Sequence, residues 1–235
     1  MKILSFKRIE KKYLINQSQY EELLKGIRGH MKLDPYCENN KTYKIQNIYY
    51  DTINNTLISN SINKPIYKEK LRVRKYYEAD SYFIKKKACG VVGKRRVVVN
   101  KEELDSFFRG DNLDHITDYE SRMAIKEIKY LMKRYELMPK VYLSYDRLGF
   151  FDLEDPTLRL TLDNNIHSRR SNLSFKTDES TIDVIKKDEY ILEIKVKNNY
   201  PLWLARILDN LKIRSSSFSK YGEEYKLYLT GGKYA

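Results

Sequence analysis

An α+β fold dominated by antiparallel strands is the class this sequence predicts, and three observations carry the expectation. Charged and apolar residues alternate in short runs over most of the chain, the period-two pattern of half-buried strands. Stretches with helical periodicity are interspersed among about eight such strands and do not follow each one, as a parallel βαβ design would require. Tyrosine is abundant, at 21 residues, which suits sheet surfaces that are part buried and part wet.

The first strand covers residues 5–15. Ser18-Gln19-Tyr20-Glu21 reads as a capping box opening a helix that buries Leu23, Leu24 and Ile27 and frays near Gly29. A strand over residues 42–51, centred on Ile48-Tyr49-Tyr50-Asp51, is broken by Asn54-Asn55. Residues 64–77 and 82–87 form a hairpin with Glu78-Ala79-Asp80 near the turn, and Gly90 and Gly93 punctuate the next turn before a strand at 95–99. Asn100 caps a helix, with Glu103 at its third position and Leu104, Phe107 and Phe108 on one face. A longer amphipathic helix spans 119–135, its Ala124, Ile128, Leu131, Met132 and Tyr135 recurring at helical spacing. Pro139 begins a strand holding Val141, Leu143 and Tyr145, and further strands follow at 157–166 and 190–197. Pro201 sits near the first turn of a helix burying Leu204, Ile207, Leu208 and Leu211, and residues 215–229 are partly helical. Residues 168–188, the least patterned stretch, read as a surface hairpin or mobile loop. With no internal repeat or low-complexity tract, a single domain over residues 1–235 is expected.

Lysine and arginine total 45 against 32 aspartate and glutamate, a net charge of +13, which calls for an anionic partner: nucleic acid, anionic lipid headgroups or a phosphorylated small molecule. No RRM, KH or helix-turn-helix pattern is present, which argues against nucleic acid. Cys37 and Cys89 have no CxxC spacing, so neither zinc nor a disulfide framework is indicated, and a reduced cytoplasmic setting is expected. No apolar run reaches the roughly 18 residues of a membrane span, and the N-terminus has no signal-peptide core. His30, His115 and His167 fall in turn or loop contexts without metal-ligand spacing and read as surface residues. Walker A, GxGxxG and nucleophile-elbow patterns are missing. Phosphate, if bound, must be held by side chains.

Side chains for that purpose line up on strands. Lys68, Lys70, Arg72 and Arg74 share one parity opposite Leu71 and Val73, and guanidinium forks match phosphate oxygens well. Lys85 and Lys87, then Lys94 and Arg96 beyond the glycine turn, form a second cationic stripe. Leu158, Leu160 and Leu162 oppose Arg159, Thr161 and Asp163, while Leu192, Ile194 and Val196 oppose Glu193, Lys195 and Lys197. Carboxylates interleaved with cations admit two readings. They are cross-strand salt bridges, each worth little, or Glu193 and Asp163 hold a hard divalent metal while the cations grip phosphates.

The ordered set Arg8-Ile9-Glu10-Lys11-Lys12-Tyr13, Ile48-Tyr49-Tyr50-Asp51-Thr52, Leu71-Arg72-Val73-Arg74, Lys85-Lys86-Lys87 with Lys94-Arg95-Arg96, Tyr145-Asp146-Arg147, Leu158 to Asp163, Leu192-Glu193-Ile194-Lys195 and Ser217-Phe218-Ser219-Lys220-Tyr221 resembles the VTC domain of polyphosphate polymerases. That domain belongs to the triphosphate tunnel metalloenzymes, related to the CYTH phosphohydrolases. The resemblance covers about residues 5–228. It implies an antiparallel eight-stranded β-tunnel with flanking helices, ATP as phosphoryl donor, inorganic polyphosphate as product, and Mn²⁺ or Mg²⁺ as cofactor. Carried over by position, Lys12, Arg72, Arg74, Lys85 and Lys195 are the catalytic cations. Glu10, Lys87, Lys94, Arg96, Tyr145, Arg147, Arg159, Ser219 and Lys220 line the substrate site, and Glu193, with Asp163, takes the metal.

Two departures bear on activity. CYTH hydrolases carry ExExK near the N-terminus, whereas Arg8 here replaces the first glutamate, leaving Glu10 and Lys12 and weakening the case for hydrolysis by a metal-activated water. Where the family often has a glutamate two residues before the first lysine of the second stripe, this chain has Phe83. The regulatory SPX domain and membrane helices of the eukaryotic complexes are not matched, so a stand-alone form is expected.

Overall fold

The computed structural model describes residues 9–63, 66–76, 79–89, 93–176 and 180–231. Arg8, Lys64, Glu78, Gly90 and the Cys89 side chain, all used in the sequence reading, lie outside the described residues. Strands β1 (Ile9–Asn16), β2 (Met31–Leu33), β3 (Tyr43–Asp51), β4 (Lys68–Tyr76), β5 (Tyr82–Cys89), β6 (Gly93–Val99), β7 (Met138–Asp152), β8 (Arg159–Arg169), β9 (Ile182–Asp183) and β10 (Glu189–Val196) alternate with helices α1 (Gln17–Ile27), α2 (Thr56–Ile62), α3 (Lys101–Arg109), α4 (Tyr119–Tyr135), α5 (Leu202–Asn210) and α6 (Lys220–Leu229). Hydrogen bonds order them β1-β10-β8-β7-β3-β4-β5-β6, with β2 added on β7 and β9 on β8. The expected eight strands are thus the path itself, and two short strands bring the sheet to ten.

The chain divides into two compact units, each woven from separate segments: unit 1 from Met1–Lys44, Tyr145–Ile166 and Ile185–Ser219, unit 2 from Ile45–Ser144, His167–Val184 and Lys220–Ala235. In unit 1, Tyr13 and Ile15 of β1, Leu160 and Leu162 of β8, and Leu192, Ile194 and Val196 of β10 alternate to one side. There they pack on Leu23 and Ile27 of α1 and on Leu204 and Leu208 of α5. Period two on the strands meets the period-3.6 stripe of each helix, which is why neither element could be moved by one residue without exposing its apolar set. In unit 2, Leu71 and Val73 of β4, Ile84 of β5 and Val97 and Val99 of β6 pack on Leu104 and Phe107 of α3 and on Ala124, Ile128 and Leu131 of α4. Because one face of the strands packs on α1 and α5 in unit 1 and on α3 and α4 in unit 2, the alternate residues share the opposite face.

Local signals mostly land where expected. Asn100 accepts from the Glu103 amide at 2.9 Å while Glu103 accepts from the Asn100 amide at 2.7 Å, a complete capping box for α3. For α1 the box is shifted: Asn16 and Gln19 form it, with Gln19 N donating to Asn16 Oδ1 at 2.9 Å, and Ser18 lies inside the first turn. Asn16 is still extended (ψ 175°), the backbone state a cap needs. Helix α2 was not anticipated from Asn54-Asn55. Its amides at Leu57 and Ile58 donate to the Asp51 carboxylate at 2.8 and 2.9 Å, so β3's last residue supplies what no residue inside the helix provides. Residues 168–188 do form a hairpin, β9 pairing with β8, yet Ser168 and Arg169 are buried, not on the surface. Arg169 lies 3.7 Å from the Tyr142 ring centroid and donates to the carbonyls of Asn172, Ser174 and Lys176, which ties the loop down. His167 belongs to strand β8, where it meets Asp183 at 2.8 Å, and is not in a loop.

Candidate functional site

The polar face of unit 1 follows from strand register. Lys12 of β1 stands opposite Glu193 of β10, which stands opposite Thr161 of β8. The adjacent row is Glu10, Lys195 and Arg159. Glu193 is buried and pairs with Lys195 along its own strand. Burial alone would push the Glu193 carboxyl up; the cations of Lys195, Lys12 and Arg147 outweigh it and hold the group well below the usual carboxylate range. Lys12 also donates through Nζ to the Phe218 carbonyl at 3.3 Å, and its own carbonyl accepts from Ser216 N at 2.8 Å, so residues 216–218 run along β1.

Arg147 and Asp163 form the deepest pair. Nε and Nη2 of Arg147 donate to the two Asp163 oxygens at 2.6 and 2.7 Å, a fork-to-fork geometry with both residues buried. Desolvation would disfavour the guanidinium's charge; Asp163, Tyr145 and Glu193 together hold it cationic. Tyr145, buried two residues away on β7, has its ring 5.4 Å from the guanidinium carbon. Arg159 is half-exposed, donating to Asp34 Oδ2 at 2.5 Å over the Phe151 ring. Gly149 permits the approach, since a Cβ there would stand 3.1 Å from the Asp34 Cβ. Thr161, 2% exposed in the row with Glu193, carries a hydroxyl with no hydrogen-bond partner among the described residues. The sequence placed it on this face without assigning it a role.

Unit 2 presents a different polar face. Tyr49, Arg72, Lys85 and Arg96 stand abreast across β3, β4, β5 and β6. Lys70, Lys87 and Lys94 form the next row, and Asn47, Arg74 and Phe83 the row on the other side. Burial falls from β3 and β4, where Tyr49 and Arg74 are covered, to β6, where Lys94 and Arg96 are exposed. Asn47 orients Arg74: its Oδ1 accepts from Arg74 Nε at 3.1 Å while its Nδ2 donates to the Leu143 carbonyl at 3.2 Å. Tyr49 accepts from Arg72 Nη1 at 3.1 Å. Phe83 sits where the family often has a glutamate, and Lys85 and Arg96 lie 5.0 and 5.7 Å from its ring centroid, a neutral substitute for that charge. Among the described residues of these four strands on this face, the one carboxylate is Asp51, whose oxygens are taken by the Thr52, Leu57 and Ile58 amides and by the Tyr221 hydroxyl at 3.0 Å.

The structure therefore gathers Glu10, Lys12, Tyr145, Arg147, Arg159, Asp163, Glu193 and Lys195 in unit 1, and Arg72, Arg74, Lys85, Lys87, Lys94 and Arg96 in unit 2. Ser219 is half-buried at the end of unit 1's last segment, and Lys220 opens α6 beside Tyr221, whose ring stacks on Tyr49 at 4.6 Å. Sequence reasoning missed Asn47 and Tyr49, which look like ordinary strand residues; their parity with the arginines was the available signal. Among the described residues no group of three or more His, Cys, Asp and Glu has the arrangement of a protein-only metal cage. Cys37 is a buried free thiol, and among the described residues no helix is long and apolar enough to cross a membrane.

Several solved structures are similar to this chain. A protein from Bacillus halodurans provisionally named an adenylate cyclase superposes with a TM-score of 0.53 at 17% identity, covering 90% of this chain and 93% of that one. A similarly named protein from Vibrio parahaemolyticus gives a TM-score of 0.44 at 14% identity, covering 95% and 98%. The PH1819 protein of Pyrococcus horikoshii gives 0.47 at 12%, covering 93% and 98%. None of the curated proteins matches. The family model described as the VTC domain matches residues 7–229, nearly the whole chain, so this protein belongs to the VTC domain family.

Proposed function

We propose that the protein is an ATP-dependent polyphosphate polymerase, moving the γ-phosphate of ATP onto the end of an inorganic polyphosphate chain. The observation that carries this reading is the composition of the two polar faces: adjacent rows of cations on unit 2, and on unit 1 a buried, strongly acidified carboxylate, Glu193, among lysines and arginines. Phosphoryl transfer asks for positioning and charge stabilisation more than for covalent work by the protein. The attacking atom is an oxygen of the chain's terminal phosphate, already ionised near neutral pH, so no strong general base is needed. The bond from the γ-phosphorus to the bridging β-oxygen breaks, its electron pair leaves on ADP, and a new P–O–P link extends the chain. In unit 2 Arg72, Arg74 and Lys85, and in unit 1 Lys12 and Lys195, each supply positive charge that offsets repulsion between phosphates. Exposed Lys87, Lys94 and Arg96 draw polyanions in, and Arg147, engaged by Asp163, contributes its field and fixes the Glu193 environment.

Tunnel proteins of this family generally use divalent metals. The residues present fit a hard ion held mainly through phosphate oxygens, because Glu193 is kept ionised and Glu10 lies on the same face, matching the one or two carboxylates such ions take. Asp163 fits poorly, since both its oxygens already accept from Arg147. When bound, Mn²⁺ or Mg²⁺ would withdraw charge from the phosphoryl group.

The decisive experiment incubates pure protein with ATP and Mn²⁺ and resolves the products. Long phosphate chains with ADP are expected; orthophosphate without chains would mean a tunnel triphosphatase. Absence of turnover, with salt-sensitive polyphosphate binding that survives Glu193→Ala, would mean a non-catalytic polyanion-binding module. Glu193→Ala and Arg74→Ala should each lower the polymerase rate by about 10²-fold or more. Full activity in both variants would overturn the site assignment.

A further inference from the structure

Tyr49 is a buried tyrosine, 7% exposed, whose position in the sheet is that of a binding residue. Register sets it abreast of Arg72, Lys85 and Arg96, on the face opposite the one packed on α3 and α4. Its ring orientation is fixed by the Tyr221 ring at 4.6 Å, and its hydroxyl oxygen is engaged as an acceptor by Arg72 Nη1 at 3.1 Å. The phenol's own proton, however, has no acceptor among the described residues. A buried O–H with no acceptor is costly, and such groups are normally satisfied. The neighbours cannot supply one readily. Arg72, Lys70 and Arg74 on β4 and Lys85 on β5 are donors only, and the Tyr221 hydroxyl on α6 is turned to Asp51 at 3.0 Å. A phosphoryl oxygen placed beside the hydroxyl would accept that proton.

We infer that the Tyr49 hydroxyl is a phosphate-recognition group, donating its proton to a phosphoryl oxygen of a triphosphate while it holds Arg72 in place. This rests on the function proposed above and adds a residue that positions substrate at the same site. The electrostatics agree with it. Burial would push the phenol up, but Arg72, Lys70 and Arg74 outweigh burial and lower it from 10.0 to about 8, which makes it a stronger hydrogen-bond donor to phosphate than an ordinary tyrosine. The other tyrosines whose ionisation is perturbed are shifted upward, among them Tyr50, Tyr200 and Tyr221, so Tyr49 should titrate apart from them.

The test uses that separation. Absorbance of ionised tyrosine is followed from pH 7 to 10 in the full-length protein, with and without inorganic triphosphate and magnesium, alongside calorimetric binding of the same probe. A single transition near pH 8 is expected in the wild type. It should be absent in Tyr49→Phe, which keeps the ring stacked on Tyr221, and should move upward when triphosphate is bound, because the ligand adds negative charge and accepts the proton. Tyr49→Phe should bind triphosphate roughly ten-fold more weakly. If the wild type binds triphosphate but its transition does not move and Tyr49→Phe binds equally well, the inference is overturned and the proposed function stands. A wild type that does not bind triphosphate overturns both.

Discussion

The polar faces of the two units use the same residue types to opposite electrostatic ends. On β1, β10 and β8, cations meet carboxylates: Lys12 and Lys195 surround Glu193, Arg147 grips Asp163, and Arg159 reaches Asp34. On β4, β5 and β6, cations stand beside cations, Lys70, Lys87 and Lys94 in one row and Arg72, Lys85 and Arg96 in the next. Opposite charges across a ladder stabilise it, whereas like charges directly opposite each other do not. The first face is self-sufficient, and its charges help hold the fold. The second carries repulsion that an arriving polyanion relieves. Removing one charge should therefore act with opposite sign in the two units.

The largest effect is expected at Asp163. Replacing it with alanine leaves the Arg147 guanidinium buried without its hydrogen-bonded carboxylate, a change that typically costs about 3–5 kcal/mol. Urea titration should show a large fall in the unfolding midpoint; a midpoint equal to wild type would refute the self-sufficiency of this face. Acid should act on Glu193 in a related way. A carboxyl whose pKa is depressed by folding binds its proton more readily in the unfolded chain, so its stabilisation is complete above the unfolded value of about 4.3 and is lost as pH falls below it. Glu193→Gln should flatten the dependence of stability on pH in that acidic window.

A smaller effect separates the units through ligand. Triphosphate at a hundred times its Kd should raise wild-type stability by about 2.7 kcal/mol. At the same concentration a thirty-fold weaker Arg72→Ala should gain only about 1 kcal/mol. Thermal shift with and without the ligand checks this, and an undiminished gain in Arg72→Ala would remove the crowded face from the binding site.

Much of this contrast was legible in the sequence because strand alternation is local. Leu71-Arg72-Val73-Arg74 and Leu192-Glu193-Ile194-Lys195 each disclose which residues share a face. What alternation cannot disclose is register between distant strands. Asp163 read as a metal ligand because its partner Arg147, on another strand, is a matter of tertiary pairing. Helix α2 escaped notice for the same reason: the groups that stabilise its start are Asp51 and, through it, Tyr221, which is 170 residues away in the chain. The α1 cap slipped by two residues because Asn16 and Ser18 are both competent caps, and only the backbone at Asn16 chooses between them. Alternation alone gives Tyr49 no role beyond its place in a strand, because an aromatic residue there is usually core.

The smallest predicted effect is also the sharpest test of sign. Lys87 is exposed and lies between Lys70 and Lys94, so Lys87→Gln removes two like-charge contacts and creates no buried unpaired group. In buffer without polyanions its stability should lie within about 0.5 kcal/mol of wild type and on the stabilising side. The gain should shrink as salt shortens the reach of the charges. Adding triphosphate should reverse the order, because the wild type now uses the lysine that was previously repelled. Urea titrations at low salt, high salt and with triphosphate give the three comparisons. A destabilised Lys87→Gln in the absence of ligand would mean that like-charge repulsion does not govern this row, and the contrast between the faces would fail at its most exposed point.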